Sequence, residues 1–302
     1  MRETFVRTLL DEAKREKDIV LITGDLGFGV LEKFESELPS QFLNAGVAEQ
    51  SMLGLAAGMA STGKRVFVYS IGNFPTIRAL EQIRNDICYM DNSVVIVSVG
   101  SGYSYGSQGY THHALEDIAV MRALPNMEIY SPADSLETES ITRDLTKSQK
   151  PSYLRLGRSG ERILNQSPLT LQKGRFNQIQ SGKDGTILFT GSIGSIVMDA
   201  RELLLAHGIE VGVISIPYVS SISKTDLELL DGSKPVVSVE EHTIRGGLSS
   251  ALLEQISTFR LNIQIIPVTA EQNNLNNIGD QNYLRNTNGL SVQHIATHFI
   301  ES

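Results

Sequence analysis

The sequence predicts an α/β protein of two domains, each a mainly parallel sheet flanked by helices. Three observations carry that expectation. The chain has 302 residues, against about 150 per domain; 41% of them are hydrophobic, enough for two cores; and short apolar runs alternate with segments of helical period along the whole length. Phe5, Val6, Leu9, Leu10 and Ala13 recur at helical spacing, and the apolar run 19–23 that follows ends in Gly24, giving helix, strand and turn. Residues 48–60 form a helix pattern built of small side chains, 65–69 a strand, 76–90 a helix, and 94–99 an almost wholly apolar strand. Such a run suits a parallel strand covered on both faces. Helices over 115–123 and 135–146 flank a strand over 127–130, and the strand 153–156 closes the series. The pattern then dissolves into a polar stretch, which divides the chain into a domain over 1–160, a linker over 161–182 and a second domain over 183–302. In the latter, strands over 186–190, 210–216, 235–239 and 263–267 combine with helices over 195–207 and 248–259. Strands separated by helices imply right-handed parallel crossovers.

Lys and Arg total 26 against 34 Asp and Glu, a net charge of −8. A protein that neutralises phosphates would carry the opposite balance, so the charge argues against a nucleic-acid partner. The single cysteine, Cys88, excludes an intramolecular disulfide framework and a Cys-based metal site. The first 18 residues are charged and amphipathic without an apolar signal core, and no run approaches the ~20 apolar residues of a membrane span. The expectation is a cytoplasmic chain with no membrane association.

Three segments could carry chemistry. Gly191 and Gly194 follow a strand and open a helix, but the remaining glycine of a dinucleotide fingerprint and an acid ending the next strand are missing. That segment reads as a tight strand-to-helix turn. The glycine-rich loop 100–109 lies at the carboxyl end of a buried strand, where open α/β sheets bind ligands, and it runs into His112 and His113. Histidine moves protons near neutrality, so a His there is a candidate acid/base or substrate-binding group, its alternative being a residue that packs against the loop. Glu49 opens the helix of Ala, Gly, Met and Leu, where a carboxylate is costly unless paired or used, or else rests on the helix dipole.

These segments, in this order, resemble the transketolase family of thiamine diphosphate enzymes. Asn44 to Gly54 is similar to the catalytic-glutamate helix of its pyrimidine-binding domain, and Tyr69-Ser70-Ile71-Gly72-Asn73-Phe74 to its strand ending in Tyr-Ser-Thr-Phe. Ser107 to Asp117, Met121 to Asn126 and Ser131-Pro132-Ala133-Asp134 resemble its Gly-Pro-Thr-His segment with the helix and turn that follow. Residues 187–268, with Val239-Glu240-Glu241-His242 and Gly246-Gly247-Leu248, resemble its C-terminal domain.

The resemblance implies roles. Glu49 would hydrogen-bond N1′ of the cofactor's aminopyrimidine and favour the imino tautomer that removes the thiazolium C2 proton. Phe74 would stack on the pyrimidine, and His112 would contact the substrate and help move its protons. His113 falls where the family varies and is a weaker substrate-binding candidate. Arg158 matches an arginine that binds substrate phosphate. Gln108 stands where transketolases have an aspartate that reads a sugar hydroxyl, and Tyr110 replaces the proline of Gly-Pro-Thr-His. A phosphate-binding histidine of the family falls near Gly100 and a serine near Gly29, so the sugar-phosphate contacts are thinned.

The family holds the cofactor's diphosphate through Mg²⁺ on a Gly-Asp-Gly motif, which this sequence lacks. The resemblance therefore implies the β-type subunit of a split transketolase: an α2β2 assembly in which a diphosphate-binding partner supplies most of the metal site and covers the helix of Glu49. Such an enzyme moves a two-carbon ketol unit from a ketose, phosphorylated or free, to an aldehyde acceptor. Two rivals are the β subunit of a 2-oxo acid dehydrogenase, which lacks the Thr111-His112-His113 signature, and a non-catalytic regulatory subunit, against which Glu49 and His112 both speak.

Overall fold

Apolar runs of five or six residues become the inner strands of two sheets in the computed structural model, which describes residues 1–271 and 275–301. The amino-terminal part contains α1 (Arg2–Ala13), β1 (Ile19–Thr23), α2 (Glu32–Glu37), β2 (Phe42–Asn44), α3 (Glu49–Ser61), β3 (Arg65–Ile71), α4 (Leu80–Gln82), β4 (Val94–Val99), α5 (Asp117–Arg122), β5 (Glu128–Tyr130), α6 (Ser135–Leu145) and β6 (Ser152–Leu156). Its six strands run in the order β2-β1-β3-β4-β6-β5, all parallel. Every residue of β1, β4 and β6 is buried, because helices cover both faces. On one face Leu21, Phe67, Val95 and Val97 pack with Phe5 and Leu9 of α1 and Ile141 of α6. On the other Val20, Ile22, Val66, Val68 and Ile96 pack with Met52, Leu53 and Ala56 of α3.

The remainder contains β7 (Asn177–Gln180), β8 (Thr186–Thr190), α7 (Gly194–Ala206), β9 (Gly212–Ser215), α8 (Lys224–Leu227), β10 (Val236–Glu240), α9 (Leu248–Phe259), β11 (Ile265–Thr269), α10 (Gln281–Thr287) and α11 (Val292–Ile300). Five strands order as β11-β10-β8-β9-β7, parallel except for β7, which pairs antiparallel with β9. One face of this second sheet packs under α7 and α11 through Phe189, Val197, Val239, Ile295 and Phe299. The other face, through Leu188, packs against Leu248 and Leu252 of α9 and joins the core that contains Met121 and Ile129 of the first part.

Several elements differ from the sequence expectation. The helix expected over 76–90 is a 3₁₀ turn (Ile77–Ala79), the short α4 and a π-helical turn (Ile83–Tyr89). Gln50 Nε2 donates to Arg78 O at 3.2 Å, taking a carbonyl that a regular helix gives to the residue four positions on. The strands expected over 235–239 and 263–267 extend to Glu240 and Thr269, because the ladder continues through the pairs of Glu240 with Thr190 and Thr269. The three-residue edge strand β2 and the polar strand β7 fall in segments without a strand pattern. Gly191 does open a tight turn, at φ +73°. Its N–H donates to Ser131 O at 3.1 Å, so this glycine admits the backbone of the first part against the switch point between β8 and β10, where a nucleotide would otherwise enter. Among the described residues no helix is long and apolar enough to cross a membrane.

Candidate functional site

The first sheet reverses its winding between β1 and β3, and the loops that leave the carboxyl ends of its strands open a crevice there. Crossover helix α3 begins at this edge with Glu49, the loop after β3 brings Phe74 and Arg78, and the loop after β4 brings His112. The side chain of Glu49 is 3% exposed at the first turn of α3, where the helix N-terminus favours a negative charge. Arg78 Nη1 donates to Glu49 Oε2 at 2.9 Å. The same guanidinium lies over the Phe74 ring, with Cζ 4.3 Å from its centroid. His112 meets Phe74 edge-on, at 5.1 Å between ring centroids and 71° between planes. Glu49, Phe74 and His112, singled out from the sequence, are thus one contiguous cluster.

Burial, then the neighbouring His113 and Arg78, hold the His112 ring below the ordinary histidine pKa, so it is neutral at pH 7. Its Nδ1 lies 3.0 Å from Thr111 Oγ1. His113 is placed differently. It is buried, its Nε2–H donates to Gly106 O at 3.3 Å, and its ring packs edge-on against Tyr103 and Tyr110. Asn73 Nδ2 donates to His113 O at 2.6 Å, tying the loop after β3 to the loop after β4. Gln108 is exposed at the end of a 3₁₀ turn. Arg158 is exposed too, with its guanidinium 5.1 Å from the centre of the Tyr105 ring. That ring fills the space beside Gly100 that a side chain after β4 would need, and Gly100 itself has φ +94°. Neither Gln108 nor Arg158 has a hydrogen bond to the Glu49 cluster among the described residues.

Three further parts of this site escape a reading of the sequence. Arg78 lies inside the segment whose pattern predicts a helix, although it is the lone cation over residues 72–83, just after β3. Glu241 holds the loop that leads to His112: its Oε1 accepts from Tyr103 N at 2.8 Å, and its Oε2 accepts from Arg285 Nε at 3.0 Å. Arg155, fully buried in β6, donates from Nε to Asp117 Oδ2 at 2.7 Å and from Nη2 to Ala114 O and Glu241 O at 2.8 and 3.0 Å. An arginine inside an apolar strand and the acid pair closing Val239-Glu240-Glu241 are the signals the sequence does contain. The outer face of α3 carries Ser51, Gly54, Leu55 and Gly58, and a side chain at either glycine would meet open space.

The crevice has recognisable relatives. The model of the transketolase pyrimidine-binding domain matches residues 1–162, and that of the transketolase C-terminal domain matches residues 174–295. A subunit of the apulose-4-phosphate transketolase of Phocaeicola vulgatus is 36% identical over 276 residues, covering 89% of this chain and 88% of that one. A solved structure described as a split gene transketolase, inactive beta4 tetramer, superposes with a TM-score of 0.86 at 32% identity, over 99% of this chain and 97% of that one. The transketolase of Campylobacter jejuni has the same fold, with a TM-score of 0.81 at 19% identity, and all of this chain matches 46% of it. Cluster, fold and relatives agree: the chain belongs to the transketolase family, of which it contains the pyrimidine-binding and C-terminal domains.

Proposed function

We propose that this chain is the β-type subunit of a cytoplasmic split transketolase, which transfers a two-carbon ketol unit from a ketose to an aldehyde acceptor using thiamine diphosphate. The observation that carries this reading is the convergence of a buried carboxylate, an aromatic face and a histidine ring at the carboxyl edge of the first sheet. The pairing that Glu49 makes supports the fit of the cofactor's pyrimidine. A flat cation already sits against this carboxylate and over the Phe74 ring, so the site accepts a flat hydrogen-bonding group of that kind. When bound, the cofactor supplies the carbon nucleophile of the reaction. Glu49 would hold the N1′ edge of the pyrimidine and favour a proton there, while Phe74 would pack on its face. Neutral His112 accepts or returns a proton at a substrate hydroxyl. Arg158, held over Tyr105, pairs with a substrate phosphate, Gln108 at the rim contacts a sugar hydroxyl, and His113 supports the loop through Gly106 and Asn73.

The absence of Gly-Asp-Gly from the sequence supports a diphosphate-binding partner chain that carries the Mg²⁺. The exposed small-residue face of α3 is a surface on which another chain can approach closely. The relatives described as a transketolase subunit and as a split gene product support a partner subunit, and an α2β2 assembly is the arrangement proposed for the pair.

The test is co-expression with the protein encoded beside this gene, followed by an assay of ketol transfer with thiamine diphosphate and Mg²⁺. Activity is expected from the pair and none from this chain alone; activity from this chain alone would overturn the split-subunit reading. In the active pair, Arg158→Ala is expected to raise KM for phosphorylated substrates about tenfold or more while changing KM for free sugars little, the loss of one charge-assisted phosphate contact. Equal effects on both would remove Arg158 from phosphate binding.

A further inference from the structure

We infer that Arg78 occupies the pyrimidine position of the site and must be displaced when the cofactor binds. This rests on the cofactor assignment above. One guanidinium makes both contacts there assigned to the aminopyrimidine: its Nη1 donates to Glu49 Oε2 at 2.9 Å, and its Cζ lies over the Phe74 ring at 4.3 Å from the centroid. Guanidinium is planar and cationic, and it presents N–H groups edgewise to a carboxylate while its face rests on an aromatic ring. A second flat group has no room between that guanidinium and the ring.

The arrangement has a reason to exist before the cofactor arrives. Glu49 is buried, and Arg78 is the hydrogen-bond partner of its carboxylate among the described residues. Without a partner, a carboxylate in that setting is costly. Arg78 therefore gives the buried carboxylate its hydrogen-bond partner and keeps the crevice ordered. Its side chain is 47% exposed, so a path into solvent is open, while its main chain is held to α3 through Gln50. Exchange needs a side-chain rotation and no movement of the backbone. The apparent affinity for the cofactor is then reduced by the fraction of molecules in which Arg78 is seated.

The experiment is calorimetric titration of thiamine diphosphate with Mg²⁺ into the reconstituted two-subunit assembly, for wild type, Arg78→Met and Arg78→Lys, alongside melting of the cofactor-free assemblies. Arg78→Met is expected to bind about tenfold more tightly than wild type. Its cofactor-free form should melt at a lower temperature, because Glu49 has lost its counter-charge. Arg78→Lys keeps the charge without the plane and is expected in between on both measures. Weaker or unchanged binding by a folded Arg78→Met assembly would overturn the inference, making Arg78 a cofactor ligand or a bystander. Should Arg78→Met not assemble, Arg78→Lys decides by the same criterion. Absence of binding by the wild-type assembly would remove the cofactor assignment itself, whereas wild-type binding that the variants leave unchanged removes only the role of Arg78.

Discussion

Glu49→Gln in the assembled enzyme is expected to lower kcat by at least about 10²-fold, the scale of a lost proton-transfer contribution. The amide has the size and shape of the carboxylate and can still hydrogen-bond a ring nitrogen, but it carries no charge to hold a proton there. Stability should change little, because the variant removes a buried charge and leaves its partner Arg78, which is half-exposed, to solvent. Cofactor affinity should also move little: the substituted amide weakens the contact to the pyrimidine and the competing contact to Arg78 together. The prediction is therefore a fall in kcat at saturating cofactor with near-normal binding heats. A matching slowdown should appear in the exchange of the cofactor's C2 proton with deuterium, which isolates the step that Glu49 assists. An unchanged kcat would take the proton-holding role away from this carboxylate.

How much of this is visible in the sequence depends on whether a residue's role is local or is made by the fold. The strands β1, β4 and β8 are legible because a sheet covered on both faces demands unbroken apolar runs. The strand β2 is not, since three residues at a sheet edge, ending in Asn44, need no periodicity. The strand β7 has a single apolar residue, Ile179, among Asn177, Gln178 and Gln180 and runs antiparallel at the other sheet's edge, so it resembles a linker. Glu49 is legible as an acid among small apolar neighbours, and His112 as a histidine ending a glycine loop. Arg78 is not, because its meaning comes from α3: only the crossover brings Glu49 and Gln50 onto a residue 29 and 28 positions later in sequence. The difference between His112 and His113 is equally hidden. One faces Phe74 and the other turns inward to Tyr103, and adjacent positions in a sequence cannot say which way a loop will turn.

Arg155→Met is expected to destabilise the fold by about 3–5 kcal/mol, the cost of removing one partner from a buried ion pair. Arg155 and Asp117 are 1% and 0% exposed, and Asp117 Oδ2 also accepts from Tyr153 OH at 2.5 Å. Burial pushes the Asp117 carboxyl up, but the Arg155 guanidinium, His242 and the hydrogen bonds from Arg155 and Tyr153 outweigh it and hold the group below the ordinary carboxylate range. A depressed native pKa contributes stability that is present above the unfolded value, near about 4, and is lost as pH falls through the native one. In Arg155→Met the carboxyl loses its main counter-charge while the burial penalty stays, so it takes up a proton more readily. The gap between wild type and variant should thus be widest near neutral pH and shrink in acid, as measured by denaturant titrations followed by far-ultraviolet circular dichroism, since the chain has no tryptophan. Adding Asp117→Asn to Arg155→Met should recover part of the loss by removing the stranded charge. A gap that stays constant with pH, or a double variant as unstable as the two losses added, would mean that the pair is not what holds this region. The loss should reach the site as well. Arg155 holds Ala114 O, and Ala114 N–H donates to Gly102 O at 2.9 Å, closing the loop that presents His112 to the Phe74 ring. Loosening that closure should lower kcat under conditions where the fold is still fully populated.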